Sequence, residues 1–429
     1  MKLAIIADDL TGANDSGVQL AKFGLKTSVL FGLDEQAVRK SEAVVFDTDS
    51  RSIDREEAYK RVYEVVEFLK KQGINKVYKK MDSTMRGNIG REVDALYDSL
   101  QSDFVFIVPG YPKNGRKVVR GHHYLNGIPL NETEIANDPK TPVKESHLPT
   151  LLKEQTSKSI GLIDIDMLRK GPEAVQQQLE KFTQQGITYV VVDSETEEDL
   201  ERILTNTKSL RFSVSWVGSA GLANYLPAFY GMEQREKQLT IPENNLPVLT
   251  VVGSVNKNSR HQLNVVLKKQ GVVGIQVESY KAVSDLEVRK GERLKVIEEA
   301  RTAARKGLDV VIYSTGEERD IDRARKIGKE NGYNFTETSN EIVKMLGAIS
   351  AELIEEKLFQ GIVMTGGDTA KQVCELWNVK GFYLHDELEI GVPISTFIGN
   401  DKIYVITKAG GFGKDTVFAH AIDKLKGVL

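Results

Sequence analysis

The stretch "LAIIADDLTGANDSG" (residues 3–17) runs from five apolar residues into two aspartates, then into glycine and small polar residues. A short apolar run bounded by turn residues, with a helical pattern beyond it, reads as a buried strand turning into a helix. Its outline is that of a turn that holds a phosphate. Asp8 and Asp9 at its mouth would repel one, so a different ligand is expected there.

The same alternation continues outward. "KTSVLF" (26–31), "AVVFDTD" (43–49), "KVYKKMD" (76–82) and "FVFIVPG" (104–110) read as strands, with helices at "REEAYKRVYEVVEFLKKQ" (55–72) and from about Gly90. After an interruption, "SIGLIDI" (159–165), "ITYVVVD" (187–193) and "SVSWVGSAGLANYL" (213–226) resume it. In the second half, "VLTVVGS" (248–254), "GVVGIQV" (271–277), "LDVVIYSTG" (308–316), "GIVMTGG" (361–367) and "KIYVITKAGGFG" (402–413) repeat the theme. Strands alternating with helices predict an α/β fold with mostly parallel sheets covered on both faces. Within "EIVKMLGAISAELIEEKL" (341–358), Ile342, Met345, Leu346, Ile349, Leu353 and Ile354 fall at the steps of a buried helix face.

A chain of 429 residues exceeds what one core usually serves, so two domains of roughly 200 residues each are expected. The polar segment "GMEQREKQLTIPENNLP" (231–247) carries the boundary. The expected division is a domain over 1–235, a linker over 236–247 and a second domain over 248–429, with an active site in the cleft between them. Residues 111–150, rich in Pro, Gly, Asn and His, are expected to be irregular and to cover a site.

A net charge of −3 argues against a nucleic-acid or anionic-membrane partner. No apolar run reaches the roughly 18–20 residues of a membrane span. With the first strand opening at Lys2 and a single cysteine, Cys374, in a helical stretch, the expectation is a cytoplasmic chain without signal peptide or disulfide. Cys374 reads as a buried small hydrophobe.

The strand ends carry the chemistry. In open parallel sheets, ligands bind outside the carboxyl ends of the strands. In the second half "VVGS" (251–254), "YSTG" (313–316), "MTGGDT" (364–369) and "TKAGGFG" (407–413) all stand at such ends. Glycines there let backbone N–H groups approach an anion at a helix N-terminus. Gly366 and Gly367 open a helix in "TGGDTA", where Asp368 offers a magnesium ligand or a helix cap and Thr369 a hydroxyl. "GGFGKDT" (410–416) falls short of a Walker A loop, since Lys408 stands where the first glycine belongs and Asp415 follows Lys414. "GSAGLA" (218–223) is not a dinucleotide fingerprint either.

The first half is acid- and arginine-rich at its strand ends: "ADDLTG" (7–12), "DTDSR" (47–51), "KKMDSTMRGNIG" (79–90) and "VPGYPKNGR" (108–116). Asp8, Asp9, Asp47, Asp49 and Asp82 accept hydrogen bonds from hydroxyls; Arg51, Lys80, Arg86 and Arg116 pair with anions. Together they suit a small ligand carrying both hydroxyls and a carboxylate. Mutual pairing of strand-end charges is the alternative, favoured for Asp47 and Lys79 individually. His122 and His123 are neighbours on an extended stretch and point to opposite sides, so a surface or substrate-lining role for one of them fits better than a zinc site.

Six blocks, "IADDLTGANDSGVQLAKFG", "KMDSTMRGNIG", "GHHYLNGIPLNETEIANDPKTPVKES", "GSAGLA", "TGGDTA" and "KAGGFG", resemble the four-carbon acid sugar kinase family, in order and over essentially the whole chain. "GANDSGVQLA" is more similar to the D-threonate/D-erythronate branch than to the 3-oxo-tetronate branch, which has Thr where Asn14 stands. The resemblance implies ATP-dependent phosphorylation of the 4-hydroxyl, a substrate-binding N-terminal domain and an ATP-binding C-terminal domain. It implies substrate contacts at Asp9, Arg51 and the turn Asp82, Ser83, Thr84, Met85 and Arg86, with Met85 where Leu is usual; Asp8, Lys80 and Arg116 join them on the reading of the strand ends. Nucleotide contacts are implied at Ser254, Gly366, Gly367, Asp368, Thr369, Gly410 and Gly411. In the mechanism expected from this, Mg2+ sits on the ATP phosphates with Asp368, and Lys408 or Lys414 adds a cation. Asp9 is the first candidate for the base and Asp82 the second, with Arg51 and Arg86 clamping the substrate carboxylate. A homodimer is expected. A non-catalytic ATP and sugar-acid sensor is the alternative of another class, and a dinucleotide oxidoreductase is disfavoured by the missing fingerprint.

Overall fold

In the computed structural model, residues 2–138, 140–235 and 239–428 are described, Asp401 by its backbone alone. The chain divides into two compact units, residues 1–236 and 237–429. Of the expected linker, residues 236–238 lie outside the described residues. Beyond them Ile241 is buried in the core of the second unit and Leu239 packs against it, because two apolar side chains in a polar segment have a core to enter.

The strands of the first unit are β1 (Leu3–Ala7), β2 (Thr27–Leu30), β3 (Ala43–Asp47), β4 (Val77–Lys80), β5 (Phe104–Val108), β6 (Arg116–Val119), β7 (His122–Leu125), β8 (Ile128–Pro129), β9 (Ile160–Ile163), β10 (Tyr189–Val192) and β11 (Val214–Gly218). Eight of them form a parallel sheet in the order β2-β3-β1-β4-β11-β5-β10-β9. β1, β3, β5 and β10 are buried along their whole length, as expected of strands covered on both faces. Each large aliphatic side chain so buried stabilises the fold by about 1.5–3 kcal/mol. β1 pairs with β3 on one side and β4 on the other, and the chain crosses past β1 in going from β3 to β4, so the crevice beside β1 is where a ligand is expected in such a sheet.

Residues 111–150 are less irregular than their composition suggests. β6, β7 and β8 form a small antiparallel sheet joined by two-residue turns, Arg120–Gly121 and Asn126–Gly127. All four turn residues have positive φ, from 50° to 84°, the geometry that twists with a hairpin. The "NG" pair at 126–127 is the signal the periodicity missed, since strands of two to four residues are too short to show alternation.

The second unit has β12 (Val248–Val252), β13 (Val272–Val277), β14 (Asp309–Ser314), β15 (Gly361–Thr365), β16 (Gly381–Glu389), β17 (Val392–Phe397) and β18 (Asn400–Lys408). Their order is β13-β14-β12-β15-β18-β17-β16. The first five run parallel; β17 is antiparallel to both its neighbours. The helix expected around 341–358 spans Phe335–Glu355 and buries Met345, Leu346, Ile349, Leu353 and Ile354. Cys374 is buried on the helix Gly367–Leu376, and burial pushes its thiol pKa up, so it is inert packing. No helix of the described residues is long and apolar enough to cross a membrane.

Candidate active site

In the first unit the carboxyl ends of β1, β3 and β4 deliver Asp8–Asp9, the 47–51 loop and the turn after Lys80 to one edge. Arg51 is the hub. Its Nε donates to Asp8 Oδ2 and its Nη1 to Asp9 Oδ2, each at 2.7 Å, and its Nη2 lies 3.7 Å from Asp82 Oδ1. Arg86 grips the other side of Asp82 with both arms, at 2.8 and 3.0 Å, and reaches Asp138 at 3.3 Å. Arg51 and Arg86, the expected clamp on the substrate carboxylate, both hold protein carboxylates in this structure, because buried acids at a sheet edge need cations within the fold.

The three acids differ in ways that matter. Burial pushes Asp8 up, but Arg51 with Lys79 and Lys80 outweighs it and holds the carboxyl below its ordinary range. Burial opposed by Arg51, Arg86 and Thr84 leaves Asp82 far below that range. Asp9 goes the other way: burial and the charge of Asp8 raise it despite Arg51 and Lys80. Its side chain is also the most exposed of the three, 26% against 2% for Asp8 and 9% for Asp82. Asp9 caps the helix Leu10–Lys22, its Oδ1 accepting from Gly12 N at 2.8 Å. A Cβ at Gly12 would stand 2.8 Å from both Asp9 Oδ1 and Lys80 Nζ, so only glycine leaves room for this approach.

The turn after β4 is built for rigidity. Thr84 is buried and its hydroxyl donates to Asp82 Oδ2 at 2.5 Å. Met85 is buried with φ at 63°, a conformation that non-glycine residues rarely hold. Ser83 is half-buried, and its carbonyl lies 2.7 Å from Nε2 of His123. Two of the expected contacts, Thr84 and Met85, are therefore part of the turn's own framework. Lys80 is buried and donates to Met81 O at 2.8 Å. Lys79 pairs with Glu92 at 2.8 Å in the interior.

Arg116 is different from the other arginines here. It forms no ion pair among the described residues; its Nη1 donates to the Asn114 carbonyl, and its Nε is buried without a partner. Burial pulls its pKa down, against the nearby Asp82. Of the two neighbouring histidines, His122 is exposed, whereas His123 is fully buried with its ring nitrogens against Ser83 O and Lys117 O. Sequence reasoning missed Asp138, the second partner of Arg86.

In the second unit the loops after β12, β15 and β18 meet. A Cβ on Gly253 would stand 2.1 Å from Thr369 Oγ1, and one on Gly410 2.5 Å from Ser254 Oγ. Gly366 N donates to Lys408 O at 3.1 Å. Ser254, Gly366, Thr369 and Gly410 are therefore brought together, with Gly367 opening the helix Gly367–Leu376 and Gly411 next in the third loop. Gly366 is the cap of that helix, leaving Asp368 exposed in its first turn. Thr369 is buried. Lys408 is buried as well, and its ammonium is turned into its own loop, onto Ala409 O, Gly410 O and Phe412 O at 3.0–3.1 Å. Clusters of three or more His, Cys, Asp or Glu able to hold a metal are absent among the described residues.

Residues 3–226 match a sugar-binding N-terminal domain family and residues 249–418 a nucleotide-binding C-terminal domain family. The chain is 31% identical over 425 residues to the D-threonate kinase of Salmonella typhimurium, covering 98% of both chains. The four-carbon acid sugar kinase family includes this chain. Other similar members are a D-erythronate kinase of Heliobacterium modesticaldum, 29% identical with 99% and 97% of the two chains covered, and a 3-oxo-tetronate kinase of Burkholderia multivorans, at 28% with the same coverage. A Haemophilus influenzae crystal structure superposes with a TM-score of 0.78 at 26% identity, over 98% of this chain and 99% of that one. As a four-carbon acid sugar kinase the chain is a phosphotransferase with an alcohol acceptor, and a small molecule and ATP are its ligands.

Proposed function

We propose that this kinase transfers the terminal phosphate of ATP to the 4-hydroxyl of D-threonate or D-erythronate. The observation that carries the reading is the geometry of two adjacent carboxyls on Arg51: Asp8 is 2% exposed and Asp9 26%, which suits the first to charge support and the second to proton transfer. On this reading Asp9 orients the hydroxyl and takes its proton, while Asp82, held low and gripped by Arg86, anchors the turn. Phosphoryl transfer needs in-line placement and electrostatic support more than covalent chemistry. The convergent loops of Ser254, Gly367 and Gly410–Gly411 supply backbone donors for the ATP phosphates.

Magnesium is usually held by one or two carboxylates plus the nucleotide's phosphates. The exposed, solitary Asp368 in a helix's first turn fits that limited role, and a bound ion would neutralise phosphate charge. Arg116, free of ion pairs among the described residues and next to Asp82 and Arg86, is assigned to the substrate carboxylate. Arg116→Ala is expected to raise KM for the acid by roughly 10- to 100-fold, in line with loss of a charge-assisted bond, and to leave KM for ATP unchanged. Steady-state kinetics with each ligand varied in turn checks this; an unchanged KM for the acid removes Arg116 from the site.

The names of the relatives do not choose among acids, since identities of 31%, 29% and 28% are nearly level. A coupled assay of ADP release over the D and L forms of threonate and erythronate and their 3-oxo forms decides, with the phosphate located by 31P NMR. Preference for a 3-oxo acid reassigns the substrate. ADP release independent of every acid sinks the reading.

A further inference from the structure

Six consecutive peptide carbonyls, from Ala409 to Lys414, accept hydrogen bonds from side chains. Lys408 Nζ meets Ala409 O, Gly410 O and Phe412 O at 3.0, 3.1 and 3.0 Å. From the helix Lys257–Val266, Ser259 Oγ donates to Gly410 O at 2.8 Å and Asn258 Nδ2 to Gly411 O at 3.1 Å. Gln262 Nε2, from the same helix, lies 3.1, 2.9 and 3.1 Å from the carbonyls of Phe412, Gly413 and Lys414.

In a trans peptide the N–H points opposite to the carbonyl before it, and the described chain has no cis peptide. Drawing these carbonyls inward therefore turns the N–H groups of residues 410–415 the other way. Two are used within the fold: Phe412 N reaches Ala409 O at 3.1 Å, and Lys414 N reaches Glu389 at 2.7 Å. Those of Gly410, Gly411 and Gly413 have no hydrogen-bond partner among the described residues. Successive outward N–H groups form an anion-binding nest, and glycines let a phosphate come close.

We propose that Gln262 is a positioning residue for phosphate binding. It shapes this nest from behind, with Lys408 and Ser259, and touches neither nucleotide nor sugar acid. This rests on the nucleotide-binding reading of the second unit and adds a residue that no glycine motif reveals. Gln262 is fully buried, and its Oε1 has no hydrogen-bond partner among the described residues. A leucine of similar size would fill the space without stranding a buried acceptor, so packing alone does not account for an amide here. It also reassigns Lys408: the cation expected on the phosphates instead holds the loop that holds them.

The test uses the full chain and three ligands measured by titration calorimetry: ATP, inorganic triphosphate and adenosine. Gln262→Glu places carboxylate oxygens against carbonyls, and Gln262→Leu removes the donors without adding charge. Both are expected to weaken ATP and triphosphate on the order of 10- to 100-fold, the loss of a few N–H···phosphate bonds. Adenosine binding and KM for the sugar acid stay at the wild-type level. Lys408→Met repeats the pattern and serves if the Gln262 variants fail to fold, with Lys408→Arg retaining part of the affinity. Unchanged ATP affinity overturns the proposal, as does an equal loss for adenosine, which would mark a general structural role. A wild-type chain that binds no ATP is a separate failure: it removes the nucleotide reading itself, and the nest with it.

Discussion

Asp9→Asn is expected to lower kcat by about 10²- to 10⁴-fold, the usual contribution of a positioned general base. Asparagine keeps the oxygen that caps the helix at Gly12 N, so the first turn survives. Its amide faces the Arg51 Nη1 that Asp9 now accepts from, but Arg51 retains Asp8, and the local structure holds. KM for acid and for ATP should change little. The pH profile separates this from simple disruption. Because Asp9 is raised above the ordinary carboxylate value of about 4, wild-type kcat/KM should rise with pH through that elevated value, as the base loses its proton. That acidic limb should vanish in Asp9→Asn and persist in Asp82→Asn, since Asp82 is held too low to titrate there. A variant within about tenfold of wild type, or one with its acidic limb intact, would show that Asp9 is not the base.

How legible this was in the sequence varies by residue. The strands and their carboxyl-end loops could be read because doubly covered strands are short apolar runs, and "LAIIADD" or "GIVMTGG" can hardly be anything else. β16 and β17 could not: "GFYLHDELE" mixes charges into a strand whose outer half is only partly buried. Asp8, Asp9, Asp82, Arg51 and Arg86 come together, yet their pairing could not be read, because Arg51 and Asp8 are 43 positions apart and contact at that separation is set by strand order. That is why Arg51 looked like a ligand clamp and Arg116 like one arginine among several. Gln262 and Ser259 gave no sign at all. A buried amide reads from sequence as a polar position on a helix, and only the row of carbonyls opposite gives it a purpose.

Arg51→Met is expected to be the most damaging change to stability, destabilising the N-terminal unit by about 3–5 kcal/mol, the range for removing one partner of a buried ion pair. Methionine keeps the volume and removes the charge. Asp82 still has Arg86, whereas Asp8, 2% exposed, is left next to Asp9 with Lys79 and Lys80 as the remaining nearby cations among the described residues. The sign with pH follows. In wild type the lowered pKa of Asp8 contributes stability that is present above the ordinary carboxylate value of about 4 and lost as pH falls through the lowered one. Without Arg51, burial and the neighbouring Asp9 raise both carboxyls, so the folded variant binds more protons than the unfolded chain, and its stability falls as pH rises. The cost of the substitution should therefore be largest near pH 7.5 and shrink toward about pH 4.5. Urea melts of the full chain at the two pH values measure it, with Arg51→Lys, which keeps the charge but loses the fork, falling between. The acidic limb assigned to Asp9 should move upward in the same variant, tying the stability of the cluster to its chemistry. A cost independent of pH would mean that Arg51 contributes packing and not compensation of the buried acids.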